Sequence, residues 1–178
     1  MLICLGLEEM GAIVIAVDRD VSNVPESTRV KPYQMDVTDW NGLKRLYEEI
    51  PEKYGRIDVV CNNAGIFERT LLQKVMRSDG TAKGAQFWVD VDAESYPTIE
   101  INLTAMIKST RLAIDAFLKQ PKPQDGPIGV IVNTTSIAGL YPAFTAPVYG
   151  ASKWGNHFVS VPNDRNNRIY KIDGLSSS

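Results

Sequence analysis

The 178-residue sequence is sparing with the side chains that build metal sites: it has one histidine, His157, and two cysteines, Cys4 and Cys61. The cysteines lack metal-type spacing, and a lone imidazole leaves no partner for a zinc site or a His-based triad. So few thiols fit a reduced setting, which makes the cytoplasm the expected compartment. An excess of one charge sign is also missing. Nineteen Lys and Arg face 21 Asp and Glu, so a nucleic-acid partner has no electrostatic support. No apolar run approaches a membrane span, Ala12 to Val17 being far too short. The first seven residues are apolar, but no basic residue precedes them and Glu8-Glu9 follows, which argues against a secretory signal. Repeats and low-complexity tracts are absent too.

What remains is an ordinary globular composition, 44% hydrophobic and 22% charged, enough for one domain with a buried core. Residues 1–10 read as a helix closed by Gly11. Ala12 to Val17 has the continuous apolar character of a strand covered on both faces. Asp18-Arg19-Asp20 ends it, and Val30 to Met35 reads as a second strand. Thr38 is placed to cap a helix with Asp39 in its first turn. Trp40, Leu43, Leu46, Tyr47 and Ile50 then share one face, and Pro51 and Gly55 close the segment. Ile57 to Cys61 is a third strand, followed by Asn62-Asn63-Ala64-Gly65. Residues 66–96 lack a clear period and read as a long loop. The helical period returns from Pro97 to Phe117. Ile128 to Val132 is a fourth strand, and Asn133-Thr134-Thr135-Ser136 follows it. Tyr149 opens a last helix that fades near Ser160. The polar segment 161–178 is expected to be poorly ordered and to lack a strand, leaving one domain over 1–160.

Strands alternating with helices predict an α/β domain with a parallel sheet. Ligands of such sheets bind at the carboxyl ends of the strands. Asp18, Asp36, Asn62-Asn63 and Ser136 all fall at such ends. In Tyr149-Gly150-Ala151-Ser152-Lys153 a phenol and an ammonium stand four apart, hence on one helical face. Ser136 precedes the tyrosine by thirteen residues.

These features together resemble the short-chain dehydrogenase/reductase family, over about residues 1–160. The run from Asn133 to Gly155, with Pro147-Val148 before the tyrosine, is most similar to the hydroxyprostaglandin-dehydrogenase-like branch. The resemblance implies a Rossmann-like doubly wound parallel sheet and hydride transfer between NAD and a small secondary alcohol or ketone. It implies Tyr149 as general acid and base, Lys153 beside it and on the nicotinamide ribose, and Ser136 on the substrate oxygen. Asn102 would support a water relay to the lysine. A free tyrosine, with a pKa of about 10, is a poor base near neutrality. A neighbouring ammonium favours the phenolate. Asn62, Asn63, Ala64 and Gly65 would line the cofactor, and Asp36 and Val37 would contact adenine. Asp18 would accept hydrogen bonds from the adenosine ribose and repel a 2′-phosphate, which favours NAD over NADP. Arg19 is the counter-signal. Homodimers or homotetramers are implied as well.

Plainer roles stand beside these. Tyr149 and Lys153 also suit an ordinary amphipathic pair, Ser136 a loop cap, Asn102 a partner for buried backbone, Asp36 a helix cap and Asn63 a tie between strands. Phe67, Phe87 and Trp88 suit an apolar substrate or plain packing.

The sequence departs from the family pattern at both ends. The opening strand and its Thr-Gly-x-x-x-Gly-x-Gly loop, which would hold the pyrophosphate, have no counterpart. That strand belongs in the middle of the family's sheet, so its loss would leave two strand groups with unpaired inner edges. The last strands and their Pro-Gly turn have no counterpart either. The expectation is an incomplete sheet in a chain truncated at both ends. The competing functional reading is a catalytically inactive relative that acts as a binding module.

Overall fold

The computed structural model describes residues 2–25, 27–67, 94–141 and 146–159, with the backbone of 169–170. Residues 68–93 of the expected loop over 66–96, with Phe87 and Trp88, and most of the 161–178 tail therefore lie outside the described residues.

Helix α1 (Leu2–Glu9) ends where Gly11 takes φ +89°, a conformation that favours glycine. Strand β1 (Val14–Asp18) follows and pairs in parallel with β2 (Val30–Gln34). Alternation along β1 divides its side chains between two layers. Val14 and Ala16 pack with Cys4 and Leu7 of α1. Ile15 and Val17 pack on the other face, against Leu43 and Leu46 of α2 (Trp40–Tyr54).

The α2 start differs in detail from expectation. Asp39, not Thr38, is the cap, its carboxylate accepting from the Gly42 amide at 3.0 Å. Thr38 instead donates its amide and hydroxyl to Asp36. Pro51 does not close the helix but sits inside it. Closure comes at Gly55, φ +90°, whose amide donates to the Pro51 carbonyl.

Strand β3 (Val59–Asn62) leads, beyond the undescribed stretch, into a long helical segment. Its first turn is α3 (Pro97–Ile99), its middle a π-turn (Glu100–Ala105) and its body α4 (Met106–Lys119). The helical period forecast the segment but not the π-turn. Strand β4 (Gly129–Asn133) pairs in parallel with β3, and a 3-10 turn (Ile137–Gly139) precedes helix α5 (Pro147–Phe158). Phe117, fully buried, covers this sheet; a Cβ on Gly129 would stand 2.5 Å from its ring. The Gln120 carboxamide binds Ile57 and Ile128 main chain, tying the bases of β3 and β4. The tail does hold a strand: β5 (Ile169–Tyr170) adds in parallel to Gly129 and Val130. Main-chain pairing along β4 suffices for this, whatever the polarity of the flanking residues.

Among the described residues all pairings are parallel, and the strands form two sheets, β1–β2 and β3–β4–β5. The two halves do not close upon each other. Between β1 and β3 lies a cavity of about 570 Å³, bounded by both strands, α1, α2 and the π-turn. Helix α2 bridges the halves, because Tyr47 and Ile50 pack into the clusters on both sides.

Candidate active site

Four segments meet at the carboxyl end of β3 and β4. The first is α5, which buries Ser152, Lys153 and Asn156 on one face and leaves Tyr149 partly exposed one turn earlier. Lys153 is 4% exposed, and its ammonium donates to the Thr134 carbonyl at 2.8 Å. That ammonium lies 5.7 Å from the centre of the Tyr149 ring. Burial holds its pKa below the ordinary lysine value. The phenol ring also meets Phe67, with centroids 4.8 Å apart and planes tilted by 44°.

The second segment is the turn after β4. Ser136 caps it, its hydroxyl oxygen accepting from the Ala138 amide at 3.2 Å. The loop-cap role is thus realised, and the hydroxyl keeps its proton to donate elsewhere. Gly139 seats the turn against α5. A Cβ there would stand 2.7 Å from the Lys153 main chain, so only glycine permits the approach. The serine turn and the Tyr149–Lys153 helix are therefore packed together.

The π-turn supplies the third segment through Asn102, 1% exposed. Its carboxamide accepts from the Ile66 amide (2.8 Å) and donates to the Ile66 carbonyl (2.9 Å) and Ser152 hydroxyl (3.1 Å). Ser152 in turn donates to the Tyr149 carbonyl at 2.7 Å. With its amide nitrogen turned inward, Asn156 donates to the Ser152 carbonyl (3.0 Å) and the Asn102 carbonyl (3.1 Å). Asn102 thus satisfies backbone, and through Ser152 it also connects to the tyrosine turn.

The fourth segment is Asn62-Asn63-Ala64-Gly65. Asn62 works inward. It bonds Asn133 (2.8 Å), Thr110 (3.2 Å) and the Ser109 hydroxyl (2.6 Å), which also meets Tyr47 at 2.8 Å. Burial pushes the Tyr47 hydroxyl up to about 12. Asn63 accepts from Thr134 at 3.0 Å, tying β3 to β4. Asn63, Ala64 and Gly65 are exposed. A Cβ on Gly65 would lie 3.3 Å from the Asn102 oxygen and 3.6 Å from the Lys153 nitrogen. That leaves a glycine-shaped opening beside the ammonium.

The remaining sequence-selected residues belong to the other half. Asp18, at the end of β1, is exposed and accepts from the Asp20 amide at 3.2 Å. Asp36 is held below the usual carboxylate range by the Thr38 amide and hydroxyl, with Arg19 adding a smaller Coulombic effect at 3.8 Å. Asp18, Val37, Asn62, Asn63 and Ala64 all border the cavity. The structure thus joins Tyr149, Lys153, Ser136, Asn102 and Gly65 in one cluster, with Asp18, Asp36 and Val37 across the cavity. Thr134, Gly139, Ser152 and Asn156 were not singled out in the sequence. The polar run 133–136 and the spacing of Ser152 and Asn156 along α5 carried the only hints.

Comparison with known proteins agrees with this architecture. A sequence model described as short chain dehydrogenase matches residues 1–161. The chain belongs to that family. It is 32% identical over 153 residues to the 3-oxoacyl-(acyl-carrier-protein) reductase FabG of Thermotoga maritima, covering 82% of this chain and 54% of the relative. It is also 32% identical over 122 residues to human 15-hydroxyprostaglandin dehydrogenase (NAD(+)), covering 68% of this chain and 36% of the relative. The chain thus spans about half the length, or less, of these curated relatives. Among solved structures, 4-hydroxyisoleucine dehydrogenase complexed with NADH aligns at TM-score 0.66 and 21% identity, over 89% of this chain and 60% of the other. A short-chain dehydrogenase from Streptomyces avermitilis aligns at 0.62 and 20%, over 89% and 52%. At these identities the structural likeness speaks for the Rossmann-like fold alone.

Proposed function

We propose that this chain carries the catalytic half of an NAD-dependent oxidoreductase that interconverts a secondary alcohol and a ketone. The observation that carries the reading is the placement of the Lys153 ammonium. It is buried, pinned to the Thr134 carbonyl, 5.7 Å from the Tyr149 ring, and packed through its own backbone against the Ser136 turn.

The residues fit a dinucleotide at two places. Lys153 and the opening at Gly65 suit the nicotinamide ribose, where a side chain on Gly65 would intrude. Asp18 suits the hydroxyls of the adenosine ribose, as an exposed carboxylate at a strand end. NAD supplies the hydride acceptor when bound. Tyr149 takes the alcohol proton in the oxidative direction and returns it in the reductive one. The Lys153 ammonium stabilises negative charge on the phenolic oxygen during that exchange. Ser136 donates its hydroxyl proton to the substrate oxygen and fixes its position. Asn102, through Ser152, holds the tyrosine turn in register with the β3 loop. The Asp18 carboxylate would repel a 2′-phosphate, and Arg19 lies 3.8 Å from Asp36, which favours NAD over NADP.

The test is a titration of NADH followed by its fluorescence. Saturable binding that is lost in Lys153→Ala supports the reading. Absence of binding at millimolar NADH would favour a family fold that binds a partner without turnover.

A further inference from the structure

The Phe67 ring lies against the Tyr149 phenol, and the main chain beside each ring is anchored. We infer that Phe67 is a specificity-determining residue, the wall against which an uncharged aromatic group on the carbinol carbon of the substrate lies. The inference deepens the reading of Tyr149 as proton donor and acceptor, and rests on it.

The first reason is that the ring contact is built from the protein interior. Phe67 follows Ile66, whose amide and carbonyl are both bonded by the Asn102 carboxamide, at 2.8 and 2.9 Å. The same carboxamide donates to the Ser152 hydroxyl, which donates to the Tyr149 carbonyl. One buried side chain therefore sets the main chain beside both rings. Their centroids, 4.8 Å apart with planes tilted by 44°, fall in the attractive range for aromatic pairs.

The second reason is what the contact leaves open. Phe67 remains 42% exposed although it lies against the phenol ring. A carbinol oxygen hydrogen-bonded to the phenol stands about 2.7 Å from it. A group on the adjoining carbon then meets whatever borders the phenol, and Phe67 borders it. Covering the open part of an aromatic ring with another ring gains more than the area removed from water.

The third reason is the chemistry of the rim. The described stretches 62–67, 133–141 and 146–152 carry no Asp, Glu, Lys or Arg. Ile137, Leu140 and Tyr141, at the turn capped by Ser136, are exposed apolar side chains. Lys153 is buried, and its ammonium is engaged by the Thr134 carbonyl. A carboxylate or phosphate beside the reacting carbon would lose hydration against these stretches and gain no ion pair from them. An uncharged aryl group loses nothing there.

The experiment uses the 178-residue chain, NAD and three alcohols. They are 1-phenylethanol, 1-cyclohexylethanol, which keeps the apolar bulk without the aromatic face, and mandelate, which puts a carboxylate on the carbinol carbon. In kcat/KM, 1-phenylethanol should exceed 1-cyclohexylethanol about fivefold and mandelate by about tenfold or more. Phe67→Leu should bring the first ratio close to one, chiefly through KM, and leave mandelate disfavoured. A second arm needs no turnover: saturation-transfer NMR of acetophenone and cyclohexyl methyl ketone with the chain should show the same preference, lost in Phe67→Leu. Turnover without an aryl preference, or a preference that survives Phe67→Leu, would overturn the inference and leave the oxidoreductase reading standing. So would mandelate turned over as well as 1-phenylethanol. Aryl-selective ketone binding lost in the variant, with neither NADH binding nor turnover, would support the aromatic wall and remove the oxidoreductase reading. Absence of saturable ketone binding would overturn the inference.

Discussion

The two halves of the molecule are held together by different means. The α1–β1–β2–α2 half is packed by Val14, Ala16, Val30, Met35, Leu43 and Leu46, all apolar. In the other half, polar groups go inside. Every buried polar or charged side chain among the described residues lies between Thr98 and Asn156. Apolar packing tolerates small shifts, whereas a buried hydrogen bond demands one geometry or costs its desolvation. The contrast teaches that positional accuracy is concentrated where the candidate chemistry is, and that the α1–β1–β2–α2 half is a scaffold joined to it through α2.

The sharpest way to break the comparison is at the proposed reacting group. Tyr149→Phe should lower turnover by about 10²–10⁴-fold while leaving NADH affinity nearly unchanged, read by steady-state rates beside a fluorescence titration. Retained turnover would remove the tyrosine from the mechanism. Next comes the hydrogen-bond core. Asn62→Ala strips partners from Ser109, Thr110 and Asn133, and should cost about 3 kcal/mol in denaturant unfolding. Asp18→Ala, exposed on the other half, should cost less than about 0.5 kcal/mol in the same assay. Comparable losses would dissolve the distinction between the halves.

A smaller effect is expected at Tyr47→Phe, about 1 kcal/mol at neutral pH. Its pH dependence is more telling. Because burial raises the Tyr47 pKa to about 12, its contribution is complete below the ordinary phenol value near 10. It fades as pH rises through about 12, so alkaline unfolding of the wild type should show a limb that the variant lacks. The smallest effect concerns Asp36. Hydrogen bonds from Thr38 lower its pKa, so its contribution is present above the ordinary carboxyl value and is lost as pH falls through the lowered one. Asp36→Asn should flatten that acid limb slightly and, by releasing Arg19, raise NADP affinity relative to NAD a few-fold.

Much of this was legible from pattern alone. The apolar runs that became β1, β3 and β4 and the amphipathic faces of α2 and α4 followed periodicity. The unpaired inner edges followed from the resemblance, which puts the strand without a counterpart in the middle of the sheet. The Tyr149–Lys153 pair could be placed because a four-residue spacing on a helix is purely geometric. Other features resisted for physical reasons. Gly139 matters through a 2.7 Å approach to a residue fourteen positions away, which no local signal encodes. Pro51 was read as a stop because its missing amide usually breaks a helix. The capping choice between Thr38 and Asp39 turned on one residue of register, beyond what side-chain type alone decides. The tail strand was invisible because main-chain pairing with β4 leaves no mark on composition.

The wide turn at Glu100–Ala105 sets the phase of the helix that follows it. A π-turn is an α-helix with a residue inserted, and it rephases everything downstream by about 100°. Asn102 faces Ile66 and Ser152 from inside that insertion, while α4 presents Ser109 and Thr110 to Asn62 beyond it. One extra residue thus lets a single rod address two loops in different directions. Removing any one residue from 100–105 would straighten the rod and uncouple those addresses, even if every named side chain were kept. The length of this segment therefore matters alongside the identity of Asn102.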